Sequence, residues 1–557
     1  MSAPAGGAAS APRGAGGARG AARPAPAARR APARFGLDPA RPAAALAILA
    51  LALLSTAGLI GLTEPTETRY AEIAREMLVS GDPLRPRLNG LVHFHKPPLA
   101  YWAAAAGMAA LGPHAWGARV PVALASALAL LFTALAVRRR FGAQGLTPAL
   151  GAWLTGSALL FAVAGRALAA DAFLAAAVAA FWALAPSPWA LLAIGAGFLA
   201  KGPVVLLPTV AAVLAAAALG RERGTLRLLG PAWGWALAAA LGLGWYAWLA
   251  ATTPGLAAHW LGDQLWARYA TTAHGRPGPP GYFVAVLLAG LAPWTPALFA
   301  GLARAWRERA RAEARLLLAW LLVPLVVLSF SGSKLPAYLL PALPAAALLA
   351  GIGLAPPAAP ARLATAGLLA MLAVAGWVHG PSALGALAGL APPARAALPP
   401  GVHVGLACLL LAASWVARGR IAHGALLVTL AWVALAAGLA PHESRLGSPR
   451  HVARLLADQR RPSEPVVLFA RFNAGIPFAL GETVRLLEVP RETRFDDPAA
   501  VARVAVTRES LAAWADAGRR IWIFGPEAQT ADMAAATGLD WRPLARWRDS
   551  ALGIAVR

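Results

Sequence analysis

The sequence predicts a mainly α fold, a polytopic transmembrane bundle of about 13 helices carrying a small C-terminal extramembrane α/β domain. Three observations lead there. Hydrophobic residues make up 59% of the 557 residues and charged ones 13%, with a mean hydropathy of +0.58, more apolar surface than a water-soluble core of ordinary proportions buries. The apolar residues fall in successive runs long enough, or nearly so, to cross a bilayer. The arginines behind the formal net charge of +25 sit at the ends of these runs, which favours membrane topology over nucleic-acid binding.

Residues 1–41 are rich in Ala, Pro and Gly and too poor in large apolar residues to fold; they read as a disordered cytoplasmic tail. The run 43–62 is longer than the apolar core of a signal peptide and suits a spanning helix better. Further runs occupy 120–137, 146–164, 172–185, 189–200, 203–219, 232–250, 281–302, 316–330, 336–354, 363–378, 402–416 and 421–439. Cys408 is the only cysteine and lies inside one of them, which excludes an intrachain disulfide and a multi-cysteine metal site.

With the N-terminus in the cytoplasm, "RRRF" at Arg138, "RERGTLR" at Arg221, "RAWRERARAEAR" at Arg304 and the loops ending at Arg362 and Arg420 all become cytoplasmic, a consistent positive-inside pattern. The opposite face receives the loop 64–117, the 165–171 turn, the Lys201 corner, the loop 253–280, the 331–335 turn and everything after Pro441. Lysine occurs only at Lys96, Lys201 and Lys334, and all three fall on that face. Each is followed within two residues by proline, in "KPP", "KGP" and "KLP", so each ammonium is presented from stiff backbone. The tail 441–557 alternates short β-rich runs such as "PVVLFA" and "RRIWIFG" with helix-compatible stretches, the pattern of a small α/β domain outside the membrane.

The loop 64–117 opens with a helical pattern from Thr66. Glu67 favours the positive first turn, and Tyr70, Ile73, Ala74 and Met77 form an apolar stripe suited to lying along the membrane surface. Glu72, Arg75 and Glu76 take the other side, where the plain reading is that they solvate an interfacial helix. Asp171 is the only acidic residue between Asp82 and Glu222 and opens a helix at the outer face. In the loop 253–280, His259, Asp263, Gln264, Arg268, His274 and Arg276 lie among aromatics. Collectively, carboxylates, lysines, arginines and histidines gather on one side of an apolar bundle. A lipid phosphate at the interface needs such cations, lysine as a compact charge and arginine as a bidentate fork.

The order "ETRYAEIAREM", "SGD", "PRLNG", "KPPL.YW", then Asp171, "KGP", "HGRPGP" and "GSKLPAYLLP" resembles the bacterial polyprenyl-phosphate-dependent glycosyltransferases of the GT-C class, which include aminoarabinose transferases acting on lipid A and protein O-mannosyltransferases. The resemblance implies an enzyme at the bacterial inner membrane, with its active site and C-terminal domain periplasmic. It would move a sugar, with inversion, from an undecaprenyl phosphate carrier to lipid A, another glycan or a protein. Lys96, Arg276 and Tyr338 would contact the donor phosphate, Lys201 and Lys334 would line the same cavity, and Arg69, Tyr70, Arg268 and His274 would complete the substrate-binding set.

Two positions depart from the family pattern: Thr66 stands where the family has a catalytic Asp, leaving Glu67 and Glu64 nearby, and His95 stands where Glu is common. Glu67 or Asp171 is expected to orient or activate the acceptor while the cations stabilise charge on the departing phosphate. No cofactor is expected; His95 and His274, without a fixed short spacing, make a poor metal pair. A transporter or flippase of a lipid-linked sugar is the alternative, as is a silent lipid-binding relative, although the bundle interior is nearly charge-free and the charges gather at one face. A reporter enzyme active only outside the cytoplasm, fused after residue 112, should be active, and one fused after residue 142 silent; the reverse pattern overturns the orientation.

Overall fold

The computed structural model describes residues 38–142, 145–262, 278–387, 396–490 and 493–557; most of the expected tail 1–41 therefore lies outside the described residues. Among them, eight helices are long and apolar enough to cross a membrane, or nine if the bent pair Tyr282–Gly290 and Thr295–Arg307 is one span. Three shorter apolar helices, Pro42–Thr56, Leu99–Leu111 and Asp171–Leu184, accompany them.

The difference from about 13 lies largely in breaks that hydropathy does not register. The run 146–164 is divided into Pro148–Gly156 and Leu159–Ala164. The polar groups at this break are met by two indoles: Trp294 Nε1 donates to Ser157 Oγ at 3.0 Å and Trp432 Nε1 to the Ser157 carbonyl at 2.7 Å, as exposed backbone in an apolar medium requires. The stretch Pro188–Gly220 is broken at Lys201–Gly202, where the chain doubles back. A side-chain carbon on Gly197 would sit 3.2 Å from Val205 Cβ, whereas a straight helix would separate the two residues by about 12 Å. Gly202 makes the reversal with φ +74, a conformation glycine adopts without strain.

The arginine-rich turns gather at one end of the bundle. Arg139 and Arg140 donate to the carbonyls of Ala183 and Ala185, Gly230 packs against the Pro186 carbonyl, and Arg315 pairs with Glu222. Lys201, Asp171 and the loop 64–117 lie at the other end. Between the two, Trp182 stacks on Trp320 at 5.1 Å, and Gly301 and Gly353 let their helices meet backbone to backbone.

The loop 64–117 is itself folded. Helix Glu67–Ser80 ends at Gly81 with φ 68, the hairpin β1 (Arg87–Leu88) and β2 (Leu91–Val92) turns on Asn89 and Gly90, both at positive φ, and the apolar helix Leu99–Leu111 follows. The expectation that Glu72, Arg75 and Glu76 solvate an open face is overturned: they are 0%, 7% and 7% exposed. The C-terminal domain covers them. Arg75 forks onto Glu72 at 2.7 Å and donates to the Gly481 carbonyl, Glu76 accepts the N–H groups of Asn89 and Gly90, and the Asn89 amide pairs with both backbone groups of Val484.

That domain is a five-stranded mixed sheet of β3 (Val466–Phe469), β4 (Arg485–Leu487), β5 (Ile521–Pro526), β6 (Asp540–Trp547) and β7 (Ser550–Val556) in the order β4-β3-β5-β7-β6. The pairings of β3 with β4 and β5 are parallel and those of β7 antiparallel, and helices such as Arg450–Gln459 and Glu527–Ala536 pack against the sheet.

The loop is fastened to the bundle through Arg119. Its guanidinium forks onto Glu67 at 2.7 and 2.6 Å and donates to the carbonyls of Ala57, Ile60 and Gly61. Glu67 also accepts the Thr63 N–H and hydroxyl and the Leu168 N–H. Burial alone would push the Glu67 carboxyl up; the Arg119 charge and these donors hold it below the usual range. Because its folded pKa is depressed, the stability it contributes is present above the ordinary carboxylate range and lost as the pH falls beneath it. Arg119→Leu should lower stability by about 3–5 kcal/mol by stranding a buried charge, and Glu67→Gln/Arg119→Leu should cost less than Arg119→Leu alone; thermal unfolding in detergent measures both.

Candidate active site

Indole donors clamp the segment that carries Lys96. Trp260 Nε1 donates to the Phe94 carbonyl at 2.8 Å, Trp102 Nε1 to Pro83 at 2.7 Å and Trp245 Nε1 to Leu84 at 2.9 Å, while the Val92 N–H donates to Asp496 Oδ1 at 2.7 Å. With Pro97 and Pro98 immediately following, the backbone around Lys96 has little freedom. Lys201 closes the helix Pro188–Lys201; its ammonium pairs with Asp171 and lies 4.1 Å from the centre of the Tyr338 ring, a cation–π contact in a largely desolvated setting. Tyr338 comes from the 3₁₀ turn Pro336–Ala342. Lys334 Nζ donates to the Ser331 carbonyl at 2.8 Å.

These groups frame one cavity of about 690 Å³, within the range of sites that take small organic ligands. Its walls are Phe94, Leu174, Phe198, Leu243, Tyr246, Ala247, Ala250, Trp260, Leu261 and Leu328, and its polar lining is His95, Lys96, Lys201, Ser331, Ser333 and Tyr338. Leu243 and Leu261 are 47% and 66% exposed, so the apolar part of the cavity opens on the surface of the bundle. Such a shape suits an amphiphile with a long hydrocarbon chain and an anionic head.

A smaller cavity of about 230 Å³ adjoins it, lined by Glu64, Pro65, Arg69, Leu88, Val92, His93 and His95 from the loop 64–117 and by Phe472, Ala474 and Pro490 from the C-terminal domain. His95 stands in the walls of both cavities; its ring stacks on His93 at 4.3 Å and lies 6.3 Å from His259.

Of the residues singled out from sequence, Lys96, Lys201 and Tyr338 meet in the large cavity, Asp171 reaches it through Lys201, and Lys334 is anchored beside its serine wall. Arg69 lines the small cavity, its fork resting on the Pro65 carbonyl at 3.0–3.2 Å. Tyr70 packs against Tyr101 at 4.7 Å inside the folded loop and lines neither cavity. Glu67, expected to meet the acceptor, lines neither as well. Both its oxygens are consumed by Arg119, Thr63 and Leu168, so it is a strut for the loop.

Arg268, His274 and Arg276 lie outside the described residues, and with them the proposed His95–His274 pair. Among the described residues no three His, Cys, Asp or Glu side chains gather as a metal site. Sequence reasoning did not find Arg119, Tyr246 or the serine wall; only Arg119 carried a signal, as an arginine immediately before the run 120–137, at the end opposite the arginine-rich turns.

No family model matches the chain. It is 30% identical over 323 residues, 53% of this chain and 52% of the relative, to undecaprenyl phosphate-alpha-4-amino-4-deoxy-L-arabinose arabinosyl transferase 2 of Pseudomonas fluorescens. To the corresponding transferase of Erwinia tasmaniensis it is 34% identical over 310 residues, 53% of this chain and 56% of the relative. The chain thus spans about half the length of the curated relatives it matches. Its fold is similar to that of the ArnT of Cupriavidus metallidurans solved with undecaprenyl phosphate bound, with a TM-score of 0.76 and 25% identity over 92% of this chain and 97% of that one. The resemblance to polyprenyl-phosphate-dependent glycosyltransferases is borne out by these relatives, as is the polytopic helical fold with its small C-terminal sheet domain.

Proposed function

We propose that the chain is an integral-membrane glycosyltransferase that takes a sugar from an undecaprenyl phosphate carrier and passes it, with inversion, to a lipid A-type acceptor at the periplasmic face of the inner membrane. The observation that carries this reading is the large cavity, largely apolar and open along one wall, with Lys96 and Lys201 at its polar side. The relatives named for undecaprenyl phosphate-linked aminoarabinose supply the donor class, and the solved ArnT with undecaprenyl phosphate bound supports it.

In this reading the polyprenyl tail lies along the apolar wall and the phosphate meets the two ammonium groups. As the bond from the anomeric carbon to the phosphate oxygen breaks, negative charge grows on the leaving phosphate. A lysine about 4 Å away at an effective dielectric of ~20 is worth about 4 kcal/mol to that charge. Asp171 holds the Lys201 ammonium in place and the Tyr338 ring backs it; both act as positioning groups. Lys334, Arg268, His274 and Arg276 complete the donor set.

Proteoliposomes carrying the full chain, supplied with radiolabelled undecaprenyl phosphate-aminoarabinose and lipid A, test this. Wild type should label lipid A, and Lys96→Ala and Lys201→Met should each lower the rate by ~100-fold or more, with protein yield and thermal stability kept near wild type. Movement of the intact lipid-linked sugar across the bilayer without labelling of lipid A would instead identify a flippase.

A further inference from the structure

Three carboxylates near the lysine end are committed to cations: Glu67 to Arg119, Asp171 to Lys201 and Glu72 to Arg75. Glu64 is different. Among the described residues it makes no ion pair. Its Oε1 accepts the Gly475 N–H at 2.8 Å, and the carboxyl stands in the wall of the smaller cavity. The neighbouring Arg69 guanidinium is turned onto the Pro65 carbonyl. Burial pushes the Glu64 carboxyl above its usual value against the pull of Thr68, the Gly475 N–H and Arg69, the direction that suits a proton acceptor working near neutral pH.

The position of this cavity carries equal weight. Its far wall includes Phe472 and Ala474, which follow the carboxyl end of β3, where β3 runs parallel to both its neighbours. Crevices at the carboxyl ends of parallel strands are where α/β domains take ligands. Its near wall includes His95, which also lines the large cavity. His95 is thus the residue common to the two walls, with Glu64 and Arg69 on the side of the smaller cavity.

We propose that the smaller cavity seats the saccharide head of the acceptor and that Glu64 is the group that takes the proton from its attacking oxygen. This rests on the transferase reading above. The acceptor O–H bond breaks and its proton passes to a Glu64 carboxylate oxygen; the freed oxygen pair forms the bond to the anomeric carbon. The bond from that carbon to the carrier phosphate breaks, its electron pair leaving with the phosphate beside Lys96 and Lys201. Arg69 supplies positive charge for a phosphorylated head, and His93 lines the same wall. The attacking O–H belongs to a sugar hydroxyl or to a singly protonated phosphate, which share this chemistry. Glu64 thus does the work that Glu67 and Asp171, both locked in ion pairs, do not.

The test uses the full chain in proteoliposomes with undecaprenyl phosphate-aminoarabinose and lipid A. Glu64→Gln should lower kcat by ~10²–10⁴-fold while binding of undecaprenyl phosphate stays within about 2-fold of wild type, and Glu64→Asp should restore at least about a tenth of the rate. Pro490→Trp, at an exposed position on the cavity wall, should raise the lipid A KM by ~10-fold or more and leave donor binding unchanged. Mild-acid lability of the product marks a phosphate as the attacking group and stability marks a hydroxyl. A Glu64→Gln protein that transfers within about 3-fold of the wild-type rate overturns the role of Glu64, and an unaltered lipid A KM in Pro490→Trp overturns the seat. If wild type binds the carrier but transfers nothing to lipid A, the transferase reading itself falls.

Discussion

The Glu67–Arg119 pair is the interaction on which the rest of the lysine end depends. One guanidinium joins the end of the first apolar helix, the following turn, the loop helix and the start of a membrane helix, because its donors reach Ala57, Ile60, Gly61 and Glu67 together. Burying both charges is costly, and the cost is offset only because nearly every donor and lone pair finds a partner. The result is a rigid base from which the loop 64–117 can carry Lys96 in a defined place. Proline-stiffened backbone and three indole clamps complete the positioning.

In the proposed transfer, rigidity at this end has a chemical purpose. A lysine on a mobile loop at the membrane surface would be hydrated and screened, and worth little to a phosphate. Held against Tyr338 and Asp171 in a cavity walled by Leu174, Phe198 and Leu328, Lys201 sits in a medium of lower dielectric where the same charge acts more strongly. The reversal at Gly202 puts it there without spending a polar loop, since the helix that ends at Lys201 is followed directly by the 3₁₀ turn Gly202–Leu206.

The C-terminal domain completes the first loop as well as covering it. It supplies the Gly481 carbonyl to Arg75, both backbone groups of Val484 to Asn89 and the Gly475 N–H to Glu64. Without these partners the polar face of helix Glu67–Ser80 would face water, and the smaller cavity would lack one wall. The two cavities are thus built differently, the large one from membrane helices and the loop 64–117, the small one from that loop and the sheet domain. In the proposed reaction the carrier and the head group of the acceptor would each lie against His95, which both cavities share.

Hydropathy and the spacing of arginines were enough to establish a polytopic helical bundle with a C-terminal α/β domain, because the solvent on each side of a segment is written into its composition. The three lysines likewise marked the end of the molecule where the cavity lies. The division of spans escaped the sequence, since a break such as Ser157 is stabilised by Trp294 and Trp432 from distant segments. So did the roles of the carboxylates. Glu64, Glu67 and Glu72 lie within nine residues in one motif, but a carboxylate becomes a strut or an open site according to whether Arg119, Arg75 or a cavity lies beside it, and those neighbours are brought by tertiary packing alone.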